Sequence, residues 1–273
     1  MKTKIKEIIL KGLEFTGNTT ARKNGILISL RDGSRLDIGK KNGPNRDGWV
    51  AKKIAEVPNG KKILDAGAGQ LQYKNLCKHL KYLSQDFCQY SGSGDKKELH
   101  DDFSWDTSKI DIVSDITAIP VEDSSFDVVM CTEVFEHIPN AEKAVKECSR
   151  ILKPGGSLII TAPFCSLTHE SPYHFSTGFS RFWYQKILLE NNFEIKELQT
   201  NGNFFEFLGQ EIRRIPSVGK EYAKTNLKWS IFFRISAFIV LLYLKKLSKK
   251  DTGSENLLCF GFQVLATKNR VCL

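Results

Sequence analysis

The 273-residue chain predicts an α/β fold, a largely parallel sheet with helices packed on both faces. Three observations carry this. Short apolar runs alternate with segments whose apolar residues recur at helical spacing, over short connections. The first apolar run ends in a glycine-rich turn, ILDAGAGQLQ (63–72). A Lys-Pro-Gly-Gly stop (153–156) separates the clearest helix from the apolar run after it.

The elements follow in order. GWVAKKIAEV (48–57) sets Trp49, Val50, Ile54 and Val57 at helical spacing. KKILDAG (61–67) reads as a buried strand, LQYKNLCKHL (71–80) as a helix and KYLSQDF (81–87) as the second strand. Residues 88–109 are polar and rich in Gly, Ser and Asp, so they form a loop. DIVSD (111–115) and FDVVMCT (126–132) are the third and fourth strands. AEKAVKECSRIL (141–152) places Ala141, Ala144, Val145, Cys148, Ile151 and Leu152 on one helix face, and SLIITAP (157–163) is the fifth strand. A helix over 179–192, a strand over 193–200, an apolar and basic helix over 226–248 and a strand over 259–268 complete the chain. Near the start, GILISLRDGSRLDIG fits a small hairpin turning at Asp32-Gly33. The expected organisation is an N-terminal extension (1–45), a core (46–200), a helical basic and apolar insertion (201–258) and a final strand with the C-terminus (259–273).

Composition narrows the classes. A hydrophobic fraction of 41% with 18 Phe supplies a full core and argues against a disordered chain. The net charge of +9 fits anionic lipid, nucleic acid or phosphorylated substrates, and equally a protein that binds none of them. Seven cysteines, an odd number with no C-x-x-C pair, read as reduced thiols serving as small core residues. A cytoplasmic location is therefore expected, and the first 15 residues show no secretory signal. In the apolar segment 229–244, Arg234 leaves an uncharged run of only Ile235 to Leu244. That run is too short for a hydrocarbon core of about 30 Å.

Four places carry chemistry. In Asp65-Ala66-Gly67-Ala68-Gly69, the glycines let a ligand approach the backbone, and the loop is expected to open a helix whose free N–H groups face an anionic group. Asp65 can face an ammonium. Asp86 ends the second strand, 21 residues after Asp65, where an acid accepts hydrogen bonds from ribose hydroxyls. After the third strand, Asp115 is placed to accept from an adenine amino group, with Ile116 or Ile119 on the purine face; a turn or cap acid is the plainer reading of Asp115. After the fourth strand come Thr132, Glu133, Glu136 and His137; His137 is either a base or an organiser of its loop. THESPYHFS (168–176) adds His169, Glu170, Tyr173 and His174 beyond the fifth strand. The spacing of His169, Glu170 and His174 follows no metal-ligand pattern, so no metal centre is expected.

From Lys61 to Pro163 the ordered set LDAGAGQ, Asp86, SDITAIP, FDVVMCTEVFEHIPN and AEKAVKECSRILKPGGSLIITAPF resembles the class I S-adenosylmethionine (SAM)-dependent methyltransferase family, close to its type 11 subgroup. The resemblance implies a Rossmann-like sheet of seven strands with the last antiparallel. It implies SAM as methyl donor, held by Asp65, Ala66, Gly67, Ala68, Gly69, Asp86, Asp115, Ile116, Thr132 and Glu133. Catalytic candidates on the acceptor side are His137, Tyr173 and His174. Where the family often carries a third loop glycine, this chain has Gln70 and Leu71.

The acceptor is less legible. CTEVFEH replaces the D/N-P-P-Y/F/W motif of DNA amino methylases, and no Pro-Cys pair serves pyrimidine C5 chemistry. The expectation is a small-molecule, sugar or glycan, or lipid-linked acceptor methylated at oxygen. Residues 220–250 hold eight Lys or Arg against one acid, Glu221. Residues 226–250 therefore suit peripheral contact with the inner face of an anionic membrane, or a lid or homodimer surface. Alternatives are an RNA methyltransferase and a non-catalytic SAM-fold binding protein; TEVFEHIPN and KPGG argue against a nicotinamide-dependent oxidoreductase.

Overall fold

The computed structural model of the chain describes residues 36–92, 105–227 and 230–270. The expected hairpin at Asp32-Gly33 lies outside them. The described residues divide into two compact units, 42–204 with 253–270, and 36–41 with 205–252.

The larger unit contains α1 (Asn42–Ala55), β1 (Lys62–Ala66), β2 (Lys81–Asp86), β3 (Ile112–Val113), β4 (Phe126–Thr132), α2 (Ala141–Ile151), β5 (Leu152–Pro163), α3 (Arg181–Glu190), β6 (Phe193–Asn201) and β7 (Gly261–Lys268). They build one seven-stranded sheet in the order β3-β2-β1-β4-β5-β7-β6. β1 pairs in parallel with β2 and β4, and β5 with β4, whereas β7 runs antiparallel to both β5 and β6.

Side chains of a strand alternate between faces, so the nearly continuous apolar runs bury both. Ile63, Val128, Met130 and Ile159 point to one side, against Trp49, Val50 and Ile54 of α1. Leu64, Val129, Cys131, Leu158 and Ile160 point to the other, in one core with Ala144, Val145, Cys148 and Ile151 of α2 and Tyr184, Ile187 and Leu188 of α3. Asn140 caps α2 by accepting from the Lys143 N–H. Among the described cysteines, Cys77, Cys131, Cys148 and Cys259 are buried free thiols.

The structure departs from the sequence reading in four ways. The helix expected over 71–80 is a turn followed by a single 3₁₀ turn, Lys74–Cys77. Leu71 stands in the left-handed region (φ 61°), which a helix cannot contain. KPGG does end α2, but it does not precede the strand. β5 begins at Leu152 opposite Phe126, and the ladder resumes at Ser157 opposite Val128, so these residues form an irregularity inside the strand. The third strand is only Ile112–Val113. Finally, α1 begins at Asn42, six residues before the expected start.

The smaller unit holds α4 (Phe204–Tyr222) and α5 (Ile231–Ser248). The sequence reading expects 201–258 to be helical but places no separate helix over α4, whose Pro216 and two glycines mask its periodicity. Here Ile38, Leu241 and Leu244 are buried together. Arg213 donates to the Ile38 and Leu36 carbonyls, and Lys245 pairs with Asp37 at 2.7 Å. Among the described residues, no helix is long and apolar enough to cross a membrane.

Candidate active site

A cavity of about 860 Å³ opens at the carboxyl ends of β1, β2 and β4, the edge at which such sheets bind ligands. It lies within the larger unit. Asp65, Gly67, Ala68, Gly69, Asp86, Asp115, Ile116, Thr132, Glu133, His137 and Tyr173 all line it. Ala66, also expected at the ligand, is fully buried in the core beneath the loop, and Ile119 is a core residue as well.

The glycine loop is held from β2. The Gly67 and Ala68 N–H groups donate to the Gln85 carbonyl at 2.8 and 2.9 Å, and Gly69 N–H donates to Asp86 Oδ2 at 3.0 Å. Gly67 has φ 74°, and a Cβ there would lie 2.5 Å from a Val134 methyl carbon. A Cβ on Gly69 (φ 47°) would lie 2.9 Å from the Trp105 ring. Both positions thus require glycine in conformation and in space. The expected helix N-terminus does not follow the loop, because the chain turns at Leu71 instead. Helical N–H groups are therefore not the source of positive potential here.

Arg46 is the cation in this wall. The sequence reading missed it, since it precedes the motif region on α1 and nothing local marks it. Among the described residues, it is the only Lys or Arg lining the cavity. Its guanidinium pairs with Glu133 at 3.1 Å and Asp47 at 2.9 Å, and Tyr73 donates its hydroxyl to the same Asp47 oxygen at 2.8 Å. Burial works against its charge; Glu133 and Asp47 overcome this and hold it protonated.

Asp65 is 2% exposed and accepts from the Tyr82 hydroxyl at 2.8 Å. Burial raises its carboxyl to about 7, with the charge of Asp86 adding to the effect and the Tyr82 bond opposing it. Asp86 is buried, and its two oxygens accept from Gly69 and Cys88 N–H. Each oxygen keeps a second lone pair for a hydroxyl. Asp115 is exposed and spends one oxygen on the Thr117 N–H and hydroxyl, the plainer of its two expected roles. Tyr90 and Trp105 meet edge to face, with ring centres 5.1 Å apart, and complete an aromatic wall.

The far end of the cavity is built from the loop after β4 and residues 169–175. Glu133 takes φ 54°. The His137 Nδ1–H donates to the Tyr173 carbonyl at 2.7 Å, and its Nε2 lies 3.4 Å from Glu170 Oε2. Glu170, Tyr173 and Phe175 line the cavity, and the Tyr173 ring packs edge to face on Phe87 at 4.9 Å. His174 does not line it; its Nε2 lies 3.2 Å from Ser166 Oγ, and its ring stands 5.0 Å from that of His169. Glu136 is fully buried, and among the described residues neither carboxylate oxygen has a hydrogen-bond partner. Burial, reinforced by the neighbouring Glu133, drives its carboxyl well above the usual range.

The strand order and the antiparallel β7 are those of the class I methyltransferase fold. Residues 64–160 match the family described as a methyltransferase domain, and in this stretch the chain is similar to SAM-dependent methyltransferases. Over 49 residues it is 44% identical to the sterol 4-C-methyltransferase strm-1 of Caenorhabditis elegans, a stretch covering 18% of this chain and 15% of that protein. Over 47 residues it is 34% identical to the ubiquinone biosynthesis O-methyltransferase of Coxiella burnetii, covering 17% and 20%. The chain thus spans about a fifth or less of these curated relatives. A SAM-dependent methyltransferase from Archaeoglobus fulgidus shares the fold, with a TM-score of 0.50 and 15% identity over 81% of this chain and 92% of that one.

The cosubstrate of the family is SAM. The residues present fit it: a loop without Cβ atoms, a buried acid for the ribose, an apolar Ile116 and aromatic walls for the purine, and Arg46 and Asp65 for the amino-acid end.

Proposed function

We propose that this chain is an enzyme that transfers the SAM methyl group to a small-molecule, sugar or glycan, or lipid-linked acceptor, at oxygen. The observation that carries the reading is Asp86, which ties the glycine loop to the end of β2 and faces the cavity with lone pairs to spare. SAM, when bound, supplies a methyl already activated on a sulfonium. Asp86 would hold the ribose, Asp65 the ammonium and Arg46 the carboxylate. His137, Glu170 and Tyr173 would receive the acceptor. Orientation alone can supply about 7–11 kcal/mol of barrier lowering. The small-molecule reading is supported by relatives named for a sterol carbon and a quinone oxygen.

The test is titration of the full chain with SAM and with NADH by calorimetry, repeated on Asp86→Ala. Micromolar SAM affinity, no NADH binding and a large loss in the variant are expected. Absence of SAM binding would return the chain to the scaffold alternative.

A second reading concerns residues 226–250. On α5, Phe232, Ile239, Val240, Leu242 and Tyr243 are exposed, on a helix whose last turn carries Lys245 and Lys246 and which Lys249 and Lys250 follow. Exposed apolar side chains beside cations suit peripheral contact with an anionic membrane.

A further inference from the structure

The loop after β4 and the segment beyond β5 bring together three groups that the sequence does not place side by side. Glu136 Oε1 lies 3.8 Å from His137 Nε2 and 3.9 Å from His169 Nε2. The three donor atoms all lie within 4.8 Å of one another. These separations are too long for hydrogen bonds. They are close to the roughly 3.4 Å between ligands bound at about 2.0–2.1 Å around a tetrahedral ion.

The imidazoles are oriented from outside the cluster. His137 Nδ1 donates to the Tyr173 carbonyl at 2.7 Å, and His169 Nδ1 donates to the Leu167 carbonyl at 2.8 Å. A carbonyl can only accept, so each Nδ1 carries the proton. In each neutral ring Nε2 then carries the lone pair; that of His137 lies 3.4 Å from Glu170 and 3.8 Å from Glu136, and that of His169 lies 3.9 Å from Glu136. Backbone carbonyls fix metal-binding histidines in this same manner. The independent observation is Glu136 itself, a fully buried carboxyl with neither oxygen hydrogen-bonded, aimed at both rings. An ion would supply the partner that burial denies it.

We propose that Glu136, His137 and His169 bind a divalent transition-metal ion of the zinc type at the acceptor end of the cavity. Two imidazoles and one carboxylate favour such an ion over magnesium, which prefers oxygen ligands. Three protein ligands leave a position open, as in catalytic zinc sites. His137 and Glu170 line the cavity, so that position faces it and would take an oxygen of the acceptor. The ion-binding claim stands by itself; the acceptor role rests on the methyltransferase reading.

The experiment uses the full chain, stripped with chelator and dialysed. Zn²⁺ is titrated by calorimetry, and Co²⁺ by its visible d–d absorption. One equivalent should bind, with a Co²⁺ spectrum of four- or five-coordinate intensity. Glu136→Gln and His169→Ala should each weaken binding by at least about a hundredfold. Neither residue lines the SAM cavity, so both variants should keep the wild-type SAM affinity, which also shows that they fold. No stoichiometric binding by the wild type, or undiminished binding in both variants, overturns the proposal. SAM binding without metal binding removes the metal site alone. Metal binding without SAM binding removes the methyltransferase reading and leaves the site.

Discussion

Asp65 allows the site to be tested through pH. Its carboxyl is held at about 7, against an ordinary value of 3.8, because it is buried beside Asp86. In the unfolded chain the proton leaves near pH 4, and in the folded chain it stays until about pH 7. Between these values the folded state binds more protons, so stability falls as pH rises and levels off above 7. Three pH units at about 1.36 kcal/mol each make a loss of about 4 kcal/mol. Asp65→Asn keeps an oxygen for the Tyr82 hydroxyl and removes the titration. Urea denaturation of wild type and variant at pH 5 and pH 8 should show their stability difference moving by about 3 kcal/mol in favour of the variant. The same ionisation governs an ammonium ligand, which needs the carboxylate. SAM affinity by calorimetry should therefore rise about tenfold per pH unit toward 7 and flatten above it, and should be weak and nearly flat in Asp65→Asn. A stability difference equal at both pH values refutes the buried, protonated Asp65. A flat wild-type SAM profile between pH 5.5 and 7 refutes its contact with the ammonium.

Three further outcomes follow from the geometry. Gly67→Ala adds a left-handed alanine and a Cβ 2.5 Å from Val134, which should destabilise by about 2–4 kcal/mol in urea and weaken SAM binding. Arg46→Ala should raise the SAM dissociation constant roughly tenfold to a hundredfold, the worth of a charge-assisted bond, while adenosine affinity stays unchanged; an equal loss for both ligands would mean that Arg46 only shapes the wall. The α5 surface should sediment the chain with phosphatidylglycerol vesicles and not with phosphatidylcholine, and Lys246→Glu with Lys249→Glu and Lys250→Glu should abolish this; no partition at low salt sinks the membrane reading.

What the sequence by itself determined was the set of elements that local periodicity encodes. Ile63-Leu64, Val128 to Cys131 and Leu158 to Ile160 read as buried strands because two-faced burial leaves an unbroken apolar run. Gly67, Gly69 and Asp86 all line the cavity, where a loop contact and a strand-end acid are fixed by position along one βαβ unit. Where a local rule competed with another, the reading failed: Leu71 in a left-handed turn cuts a periodic helix short, and KPGG ends a helix yet already belongs to β5. The tertiary structure decided what lies far apart in the chain. Arg46 meets Glu133 across 87 residues, and His169 meets Glu136 across 33. No periodicity links such residues, because their proximity comes from how α1 and the loops after β4 and β5 converge on one edge of the sheet. Spacing along the chain gave no sign of a metal site, whereas two carbonyl-bound imidazoles around an unpartnered buried carboxyl are visible only in three dimensions.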